Sequence, residues 1–404
     1  MSLTSFDPVR VRADFPALRR DAAHFDSPGG TQTPQPVIDA ITAVLRQPLS
    51  NRGLLTPAQR NAEQIVQSAR AAMADLLNVE PAGVVFGRSA TALTYDMSRT
   101  LAATLSWGPG DEVVVTRLDH DANVRPWLAM AEAVGAVARF ADFDPSTGEL
   151  APVAIGAVLS ERTRLVAVTA ASNLIGTTPD IPAIAALVHA VGALLFVDGV
   201  HHAAHAHVDV PALGADFFVC SPYKFLGPHL GVLAADPAKL ETLRPAKLAP
   251  STDAVPERFE LGTLPYEMLA GVTGAVDYWA CLTPANGSRR DRLAAGRAAV
   301  EEHERALRAR LEDGLVADDR VTLYSRAARR TSTLLFSVSG TSSADVARHL
   351  ADADVNAPAG HFYALEASRH LGLGDQGAVR AGLALYNNAH DVDRLLDALA
   401  TLPA

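Results

Sequence analysis

The sequence predicts an α/β protein with a mainly parallel sheet, followed by a smaller α+β domain. Between Val84 and Leu233, short apolar strands alternate with helices over roughly 150 residues, which is typical of an open α/β domain. Most of these strands are continuous apolar runs, as expected where helices cover both faces of a parallel sheet. From about Ala280 the sequence becomes richer in helices and in charge. Open α/β sheets bind ligands at the carboxyl ends of their strands, so the strand ends are where we expect a site.

The length of the chain favours two domains rather than one, because 404 residues exceed the usual size of a single core. We expect a large domain at 31–280 and a small domain at 281–404. A segment at 1–30 is expected to pack against the small domain.

Composition and charge exclude several classes of protein. The formal net charge is −10 and no basic block is present, which argues against a nucleic-acid partner. No apolar run reaches the ~18–20 residues of a membrane span, and the charged N-terminus does not look like a secretory signal. With only Cys220 and Cys281, no disulfide framework or cysteine-based metal site can form. We therefore expect a cytoplasmic protein.

The elements follow from the pattern in chain order. A Pro-Gly-Gly turn ends the stretch 24–30, and helices are expected at about 36–45 and 57–77, the second with an apolar stripe at helical spacing. The tract 245–263 is predicted to be a loop. Strands are expected at 84–86, 112–116, 137–140, 165–169, 194–197, 217–220, 232–233, 321–323 and 332–338, and further helices up to about 105 and at 124–134, 287–311, 343–351 and 391–402.

Two short stretches carry residues suited to catalysis. Lys224 lies in an apolar loop constrained by Gly and Pro, where partial desolvation lowers a lysine pKa and makes the neutral, nucleophilic amine accessible. Asp198 follows the apolar run at 194–197, where a turn-capping role is the common alternative. A lysine that can form an imine and a carboxylate that can hold a pyridinium proton are the minimum that pyridoxal 5′-phosphate (PLP) chemistry needs.

Two other patterns in the large domain also bear on the kind of site that Lys224 and Asp198 form. The stretch 87–91, Gly-Arg-Ser-Ala-Thr, follows a strand and opens a helix, so its backbone N–H groups suit a phosphate, although Ser89 could be a plain N-cap. No dinucleotide or P-loop fingerprint accompanies it. The histidines at 201, 202, 205 and 207 raise the question of a metal, but their spacing gives no clean ligand set on a helix or strand face. We therefore expect no metal site.

Taken together, nine stretches resemble the class V aminotransferase family of fold-type-I PLP enzymes, in particular its cysteine desulfurase-like branch. The resemblance covers nearly the whole chain and rests on the joint order and spacing of the stretches. They are Asp26-Ser27-Pro28-Gly29-Gly30, Asn51-Arg52-Gly53, Arg88-Ser89-Ala90-Thr91, Asp119-His120-Asp121-Ala122-Asn123, Ser172-Asn173-Leu174-Ile175-Gly176, Val197-Asp198-Gly199, Ser221-Pro222-Tyr223-Lys224, 258–263 (Arg-Phe-Glu-Leu-Gly-Thr) and 379–387 (Val-Arg-Ala-Gly-Leu-Ala-Leu-Tyr-Asn).

The resemblance implies a role for each candidate site residue. Lys224 would form the imine with PLP and later move protons at the substrate α-carbon, His120 would stack on the pyridine ring, and Asp198 would pair with the ring nitrogen. Thr263 would reach the phosphate of the neighbouring subunit in a homodimer. The remaining roles are phosphate binding by Ala90, Thr91, Ser221 and Tyr223, a hydrogen bond from His201 to the phenolic oxygen, and substrate contacts by Gly30, Arg52, Asn173, Phe362 and Arg380, the last clamping the carboxylate.

The departures from the family pattern bear on the reaction. Desulfurases use a loop cysteine to take up the substrate sulfur as a persulfide, and here Phe362 stands at that position, within Ala-Gly-His-Phe-Tyr-Ala at 359–364. Neither Cys220 nor Cys281 lies in this loop, so the thiolate nucleophile is missing. Two further positions differ, since His201 replaces a glutamine and Tyr223 replaces a histidine.

Without a sulfur acceptor, the sequence favours a PLP-dependent lyase that eliminates a β or γ substituent from an amino acid, with a cysteine S-conjugate as the expected substrate. Phe362 and Tyr363 suit a bulkier substrate than free cysteine. Alternatives within the PLP class are decarboxylation, alone or coupled to oxidative deamination, then transamination or epimerisation. Two other classes stay open: a non-catalytic PLP-binding protein, and an α/β binding protein without PLP.

Overall fold

The computed structural model describes residues 6–19 and 22–403, so part of the expected segment 1–30 lies outside the described residues. The strands are β1 (Ala23–His24), β2 (Val84–Gly87), β3 (Glu112–Thr116), β4 (Val137–Ala141), β5 (Thr163–Thr169), β6 (Leu194–Asp198), β7 (Phe217–Cys220), β8 (Gly231–Ala235), β9 (Val321–Leu323), β10 (Thr333–Val338), β11 (Val355–Asn356), β12 (Ala359–Gly360) and β13 (Ala378–Gly382).

The helices are α1 (Pro8–Ala13), α2 (Gln35–Leu45), α3 (Pro57–Leu77), α4 (Ala90–Thr104), α5 (Arg125–Val134), α6 (Pro152–Gly156), α7 (Ile181–Ala190), α8 (His202–His205), α9 (Val210–Leu213), α10 (Pro237–Thr242), α11 (Tyr266–Ala280), α12 (Arg289–Val316), α13 (Ser343–Asp352), α14 (Leu365–His370) and α15 (Ala389–Ala400). None of the helices within the described ranges is long and apolar enough to cross a membrane.

The large sheet has seven strands in the order β2-β8-β7-β6-β5-β3-β4. Its neighbours pair in parallel from β7 through β4, and only β8 runs antiparallel to both of its neighbours. The predicted α/β class with a mainly parallel sheet is therefore confirmed. Thr169 lies beside Asp198 in the register, and Asp198 lies beside Val219, so the ends of three central strands meet at one edge.

Both faces of the large sheet are buried, which explains its continuous apolar strands. On β6, Leu195 and Val197 belong to the core cluster on one face and Phe196 belongs to the cluster on the other. All three side chains have no exposed surface. Burying each such side chain stabilises the fold by roughly 1.5–3 kcal/mol, so the strand has little freedom to shift at its carboxyl end.

The C-terminal part contains a four-stranded antiparallel sheet in the order β12-β13-β10-β9, packed against α12 and α13, and α15 packs against these two helices. The N-terminal segment joins this part, because β1 pairs in parallel with β11 and Asp26 bridges to Gly382. This places the turn at 26–30 between the two sheets. The domain limits themselves stay a prediction.

One long helix was not predicted from the sequence. The helix α11 packs against α2, α3 and α12. Its N-cap is Pro265, which offers no side-chain hydrogen bond, so the usual start signal is absent. Tertiary packing of its apolar residues forms this helix rather than a local capping motif.

Candidate active site

A cavity of about 530 Å³ lies at the carboxyl edge of the large sheet, between this sheet and the C-terminal part. Most of the candidate residues named from the sequence line it together, although they come from distant parts of the chain. These are Ala90, Thr91, His120, Asn173, Asp198, His201, Ser221, Tyr223, Lys224, Phe362 and Arg380.

Lys224 ends a short 3-10 turn, Pro222–Lys224, directly after β7. Its Nζ donates hydrogen bonds to the backbone carbonyls of Pro28 and Gly29, the second at 3.0 Å. Burial, with the nearby charge of Arg380, lowers the pKa of Lys224 to about 7. A large share of this amine is therefore neutral at neutral pH and able to act as a nucleophile or a base.

Asp198 is the last residue of β6 and is buried at the cavity wall. Burial raises its pKa to about 6, opposed by a 2.9 Å hydrogen bond that Oδ1 accepts from the Val200 N–H. The turn that follows requires glycine, since a Cβ on Gly199 would lie 1.8 Å from Cζ of Phe218. A cation placed beside Asp198 would favour its charged form.

His120 follows β3 and caps a short 3-10 turn, where its Nδ1 accepts a 3.0 Å hydrogen bond from the Ala122 N–H. Burial lowers the pKa of His120 to about 4, so the ring is neutral. A 2.7 Å hydrogen bond from the side-chain amide of Asn123 to the carboxylate of Asp119 stabilises this turn. This fixes the plane of an uncharged imidazole at the cavity.

The N-terminus of α4 forms another wall, where Ala90 and Thr91 are the first two helical residues. Ser89 caps the helix by accepting a 3.1 Å hydrogen bond from the Ala92 N–H. The first N–H groups of a helix lack partners within it, and the helix dipole adds positive charge there. The wall therefore suits an anionic group such as a phosphate.

Arg380, on β13, is almost fully buried and also lines the cavity. Its guanidinium donates to Asp26 at 2.7 Å and to the backbone carbonyl of Asn173 at 3.1 Å, whereas Nε has no partner among the residues the structure describes. The ring of Phe362 lies over the guanidinium, 3.6 Å from its central carbon. One face of Arg380 is thus covered, and its edge still carries free donors.

Three residues named from the sequence do not line this cavity. Arg52 instead binds Glu63 at 2.8 Å and Glu257 at 3.0 Å, and its expected substrate contact stays a prediction. Thr263 is exposed and lines a different cavity, which leaves its expected role for a neighbouring subunit a prediction. Gly30 follows the lining residue Gly29, and a Cβ there would come 3.3 Å from Cδ2 of Tyr223.

Some contributors were missed by sequence reasoning. The carbonyls of Pro28 and Gly29 hold Lys224, and only the tertiary fold brings a turn 195 residues away to the lysine. Tyr95 and Arg125 line the cavity without any local motif. In the parts of the chain that the structure covers, no group of three metal-binding side chains could hold a metal ion.

No cysteine lines the cavity among the described residues. Cys220 is buried and its pKa is raised by burial, so its thiol stays protonated. The loop position at 362 carries Phe, whose backbone carbonyl accepts a 2.9 Å hydrogen bond from Asn173. Phe362 and Tyr363 both adopt left-handed backbone angles, with φ of 48° and 60°. An aromatic loop under strain therefore stands where a thiolate would be needed.

Residues 23–395 match the model of the family described as aminotransferase class-V. The chain belongs to the class V aminotransferase family. It is 33% identical to the aminotransferase-like protein FGM3 of Gibberella zeae over 99% of each chain, and 33% identical to a probable cysteine desulfurase of Pseudomonas aeruginosa over 97% of each. The resemblance inferred from the sequence is thereby confirmed, and the family is one of PLP-dependent enzymes.

Solved structures agree with this family. The cysteine desulfurase CsdA of Escherichia coli, in its S-sulfonic acid form, superimposes with a TM-score of 0.87 at 26% identity, over 98% of each chain. The apo structure of a cysteine desulfurase from Thermococcus onnurineus gives a TM-score of 0.88 at 26% identity, over 99% of this chain and 98% of that one. The fold is that of the cysteine desulfurase-like branch.

Proposed function

We propose that the protein is a PLP-dependent carbon–sulfur lyase that acts on an S-substituted cysteine. The observation that carries this proposal is a buried, largely neutral Lys224 amine in a cavity with Asp198 and without a thiol. The lysine and aspartate suit PLP, and the missing thiol removes persulfide transfer from the reactions that remain.

The residues present fit PLP by charge and by shape. The phosphate matches the N-terminus of α4, which β8 can approach closely because Gly231 has no side chain: a Cβ there would lie 2.3 Å from the backbone carbon of Ser89. A protonated ring nitrogen matches Asp198, whose buried carboxylate otherwise has its pKa raised. A phenolic oxygen matches His201, whose Nδ1 has no hydrogen-bond partner within the described chain.

When bound, PLP withdraws electrons from the α-carbon of an amino acid and so weakens its bonds. Lys224 supplies the amine that holds the cofactor, and its neutral form takes the proton from the α-carbon. Asp198 would hold a protonated ring nitrogen, and His120 would supply an uncharged ring for stacking. Burial favours the neutral forms of Lys224 and His120, whereas Asp198 acts as a carboxylate because a cation beside it would offset the effect of its burial.

Substrate binding is assigned to the part of the cavity around Arg380. The free edge of Arg380 can take a carboxylate through two parallel hydrogen bonds, while Asn173 and Asp26 keep the guanidinium in place. Phe362 covers one face of Arg380, and Tyr363 approaches His120 with ring centroids 5.6 Å apart. These rings offer an apolar surface to a substituent on the substrate sulfur.

The net reaction follows from the missing acceptor. The α-carbon loses a proton, the bond between the β-carbon and sulfur breaks, and the sulfur leaves with the electron pair and gains a proton as a thiol. The remaining 2-aminoacrylate takes up water to give a keto acid and ammonia, so no oxidant is consumed. None of these reaction steps needs a second nucleophile from the protein.

The experiment is to incubate PLP-loaded protein with free cysteine and a panel of S-alkyl and S-aryl cysteines. Equal amounts of thiol, keto acid and ammonia are expected from the S-substituted substrates. The matched control is Lys224→Ala, which we expect to lose the visible cofactor absorbance and turnover together. Release of carbon dioxide without thiol would contradict the lyase and favour decarboxylation, and a colourless protein that PLP cannot restore would contradict the cofactor.

A further inference from the structure

His201 has an unusual division between its two ring nitrogens. Its Nε2 lies 3.0 Å from Oγ1 of Thr331 and 3.2 Å from Oγ1 of Thr333. Its Nδ1 is buried and has no hydrogen-bond partner among the described residues, and the residue lines the cavity next to Lys224. Nε2 therefore contacts two hydroxyl groups, whereas Nδ1 is left for a hydrogen bond with a ligand.

The hydroxyl donors around His201 decide which of its ring nitrogens carries the proton. Thr333 has no exposed surface, and within the described ranges the sole hydrogen-bond partner of its hydroxyl is Nε2 of His201. If Nε2 were protonated, the buried O–H of Thr333 would have no acceptor, and an unmade buried hydrogen bond is costly. The opposite tautomer leaves the N–H of Nδ1 unpaired instead, but His201 lines the cavity, where water or a ligand can accept that proton, so Nε2 is the nitrogen that accepts. Thr331 differs, because it lines a second cavity of about 360 Å³ behind the site, where water can accept its proton.

The surroundings keep His201 uncharged. Its pKa lies well below the ordinary value because of burial, with the charges of His205, Lys224, Arg380 and His202 adding to the effect. His205, whose ring centroid is 4.6 Å away, places its own Nδ1 2.8 Å from Glu304, so it does not compete for the cavity. A neutral ring whose Nε2 accepts must carry its proton on Nδ1.

We propose that Thr333 is a positioning residue that locks His201 into the tautomer with the proton on Nδ1, so that His201 donates a hydrogen bond to an acceptor oxygen of the ligand. In the proposed function, on which this inference rests, that acceptor is the ionised phenolic oxygen of PLP. The glutamine usual at this position in the family always has an N–H₂ group to donate, whereas a histidine donates to the ligand only in one tautomer. Because only one tautomer of His201 can donate to the ligand, a residue that selects this tautomer is needed, and Thr333 has that role.

The first test needs no cofactor. The ¹⁵N NMR signals of histidine-labelled, PLP-free protein should show His201 protonated on Nδ1 and bare on Nε2. Thr331→Val should keep this tautomer, since Thr333 still donates to Nε2. Thr333→Val should release it, because the Thr331 hydroxyl can accept from Nε2 and pass its own proton to water. Thr333→Ser should restore the wild-type signals.

The second test follows PLP itself. We expect Thr333→Val to weaken PLP binding about tenfold or more, as for loss of one hydrogen bond to a charged oxygen, and to raise the pH midpoint of the visible cofactor band. Thr333→Ser should behave as the wild type. Thr178→Val is a control for the rear cavity, since Thr178 lines it without contacting His201.

A wild-type His201 protonated on Nε2, or identical tautomers in the Thr331→Val and Thr333→Val variants, would overturn this inference. Failure of the wild type to bind PLP would overturn the proposed function instead. The cofactor-free NMR result does not depend on PLP, so the two failures can be told apart.

Discussion

Burial sets the chemistry of single residues in this site. Lys224, His120 and His201 all have their pKa lowered, chiefly by burial, and Asp198 has its pKa raised by the same cause. Sequence reasoning anticipated this for Lys224 from its apolar, Gly- and Pro-constrained neighbours. It did not anticipate Thr333, because nothing in the local sequence shows that a strand start at 333 faces a histidine at 201.

The pKa of Lys224 gives a pH dependence that can be measured. Only the neutral amine reacts with PLP, and its fraction rises as the pH passes through the pKa of about 7. The rate at which PLP-free protein regains visible absorbance should therefore rise from pH 6 to about 8 and then level off. An ordinary lysine would give a rate still rising near pH 10, and stopped-flow absorbance over this range separates the two. A continued rise above pH 9 would contradict a depressed pKa.

Arg380 offers a test of substrate binding. Arg380→Lys keeps the charge but loses the planar fork that can hold a carboxylate with two hydrogen bonds. We expect KM for the amino acid to rise by about tenfold or more, while the affinity for PLP changes little, because the variant keeps the positive charge that acts on Lys224. Steady-state kinetics and a PLP titration measure the two effects. An unchanged KM would remove Arg380 from the substrate site.

At the level of elements, the strands of the large sheet could be predicted well from the sequence, and the two-residue strands could not. The central strands are long apolar runs buried on both faces, so their residues alone define them. The two-residue strands β1, β11 and β12 exist only through pairing with distant chain, and α11 lacks a capping signal. The same limit applies to the site, where Lys224 and Asp198 carry local signals and the carbonyl of Gly29 does not.

The close approach of β8 to α4 predicts a specific effect of glycine substitution. Gly231→Ala would place a Cβ 2.3 Å from the carbonyl carbon of Ser89 and 2.6 Å from the Ala90 nitrogen, so the helix start must move. We expect a loss of roughly 1–3 kcal/mol in the free energy of unfolding, together with weaker PLP binding through the displaced phosphate wall.

The matched control is Gly108→Ala, at a glycine whose added Cβ would have nothing within 4 Å. Thermal melting and PLP titration of both variants measure the outcome. If Gly231→Ala bound PLP as tightly as Gly108→Ala does, the N-terminus of α4 would not be the phosphate site.

At the scale of the whole molecule, a candidate site residue and several exposed leucines of a single chain lie outside the cavity. Thr263 is exposed beside Leu261, which is 63% exposed, and Leu54 and Leu55 are 73% and 86% exposed. Exposed leucines of this kind favour contact with another surface. We propose that a second copy of the chain covers them in a homodimer and that Thr263 completes the partner's phosphate site, and light scattering should give twice the mass of one chain.

Subunit mixing tests which site Thr263 serves. Lys224→Ala is expected to be inactive, and Thr263→Ala is expected to bind PLP weakly and to have low activity. If each site takes its lysine from one chain and its threonine from the other, a mixed dimer of these variants has both defects in one site and an intact second site. Random reassembly should then restore about a quarter of the wild-type activity, because half of the dimers are mixed and half of their sites are whole. If Thr263 served its own chain, every site in the mixture would carry a defect, and the activity would not rise above that of the separate Thr263→Ala protein.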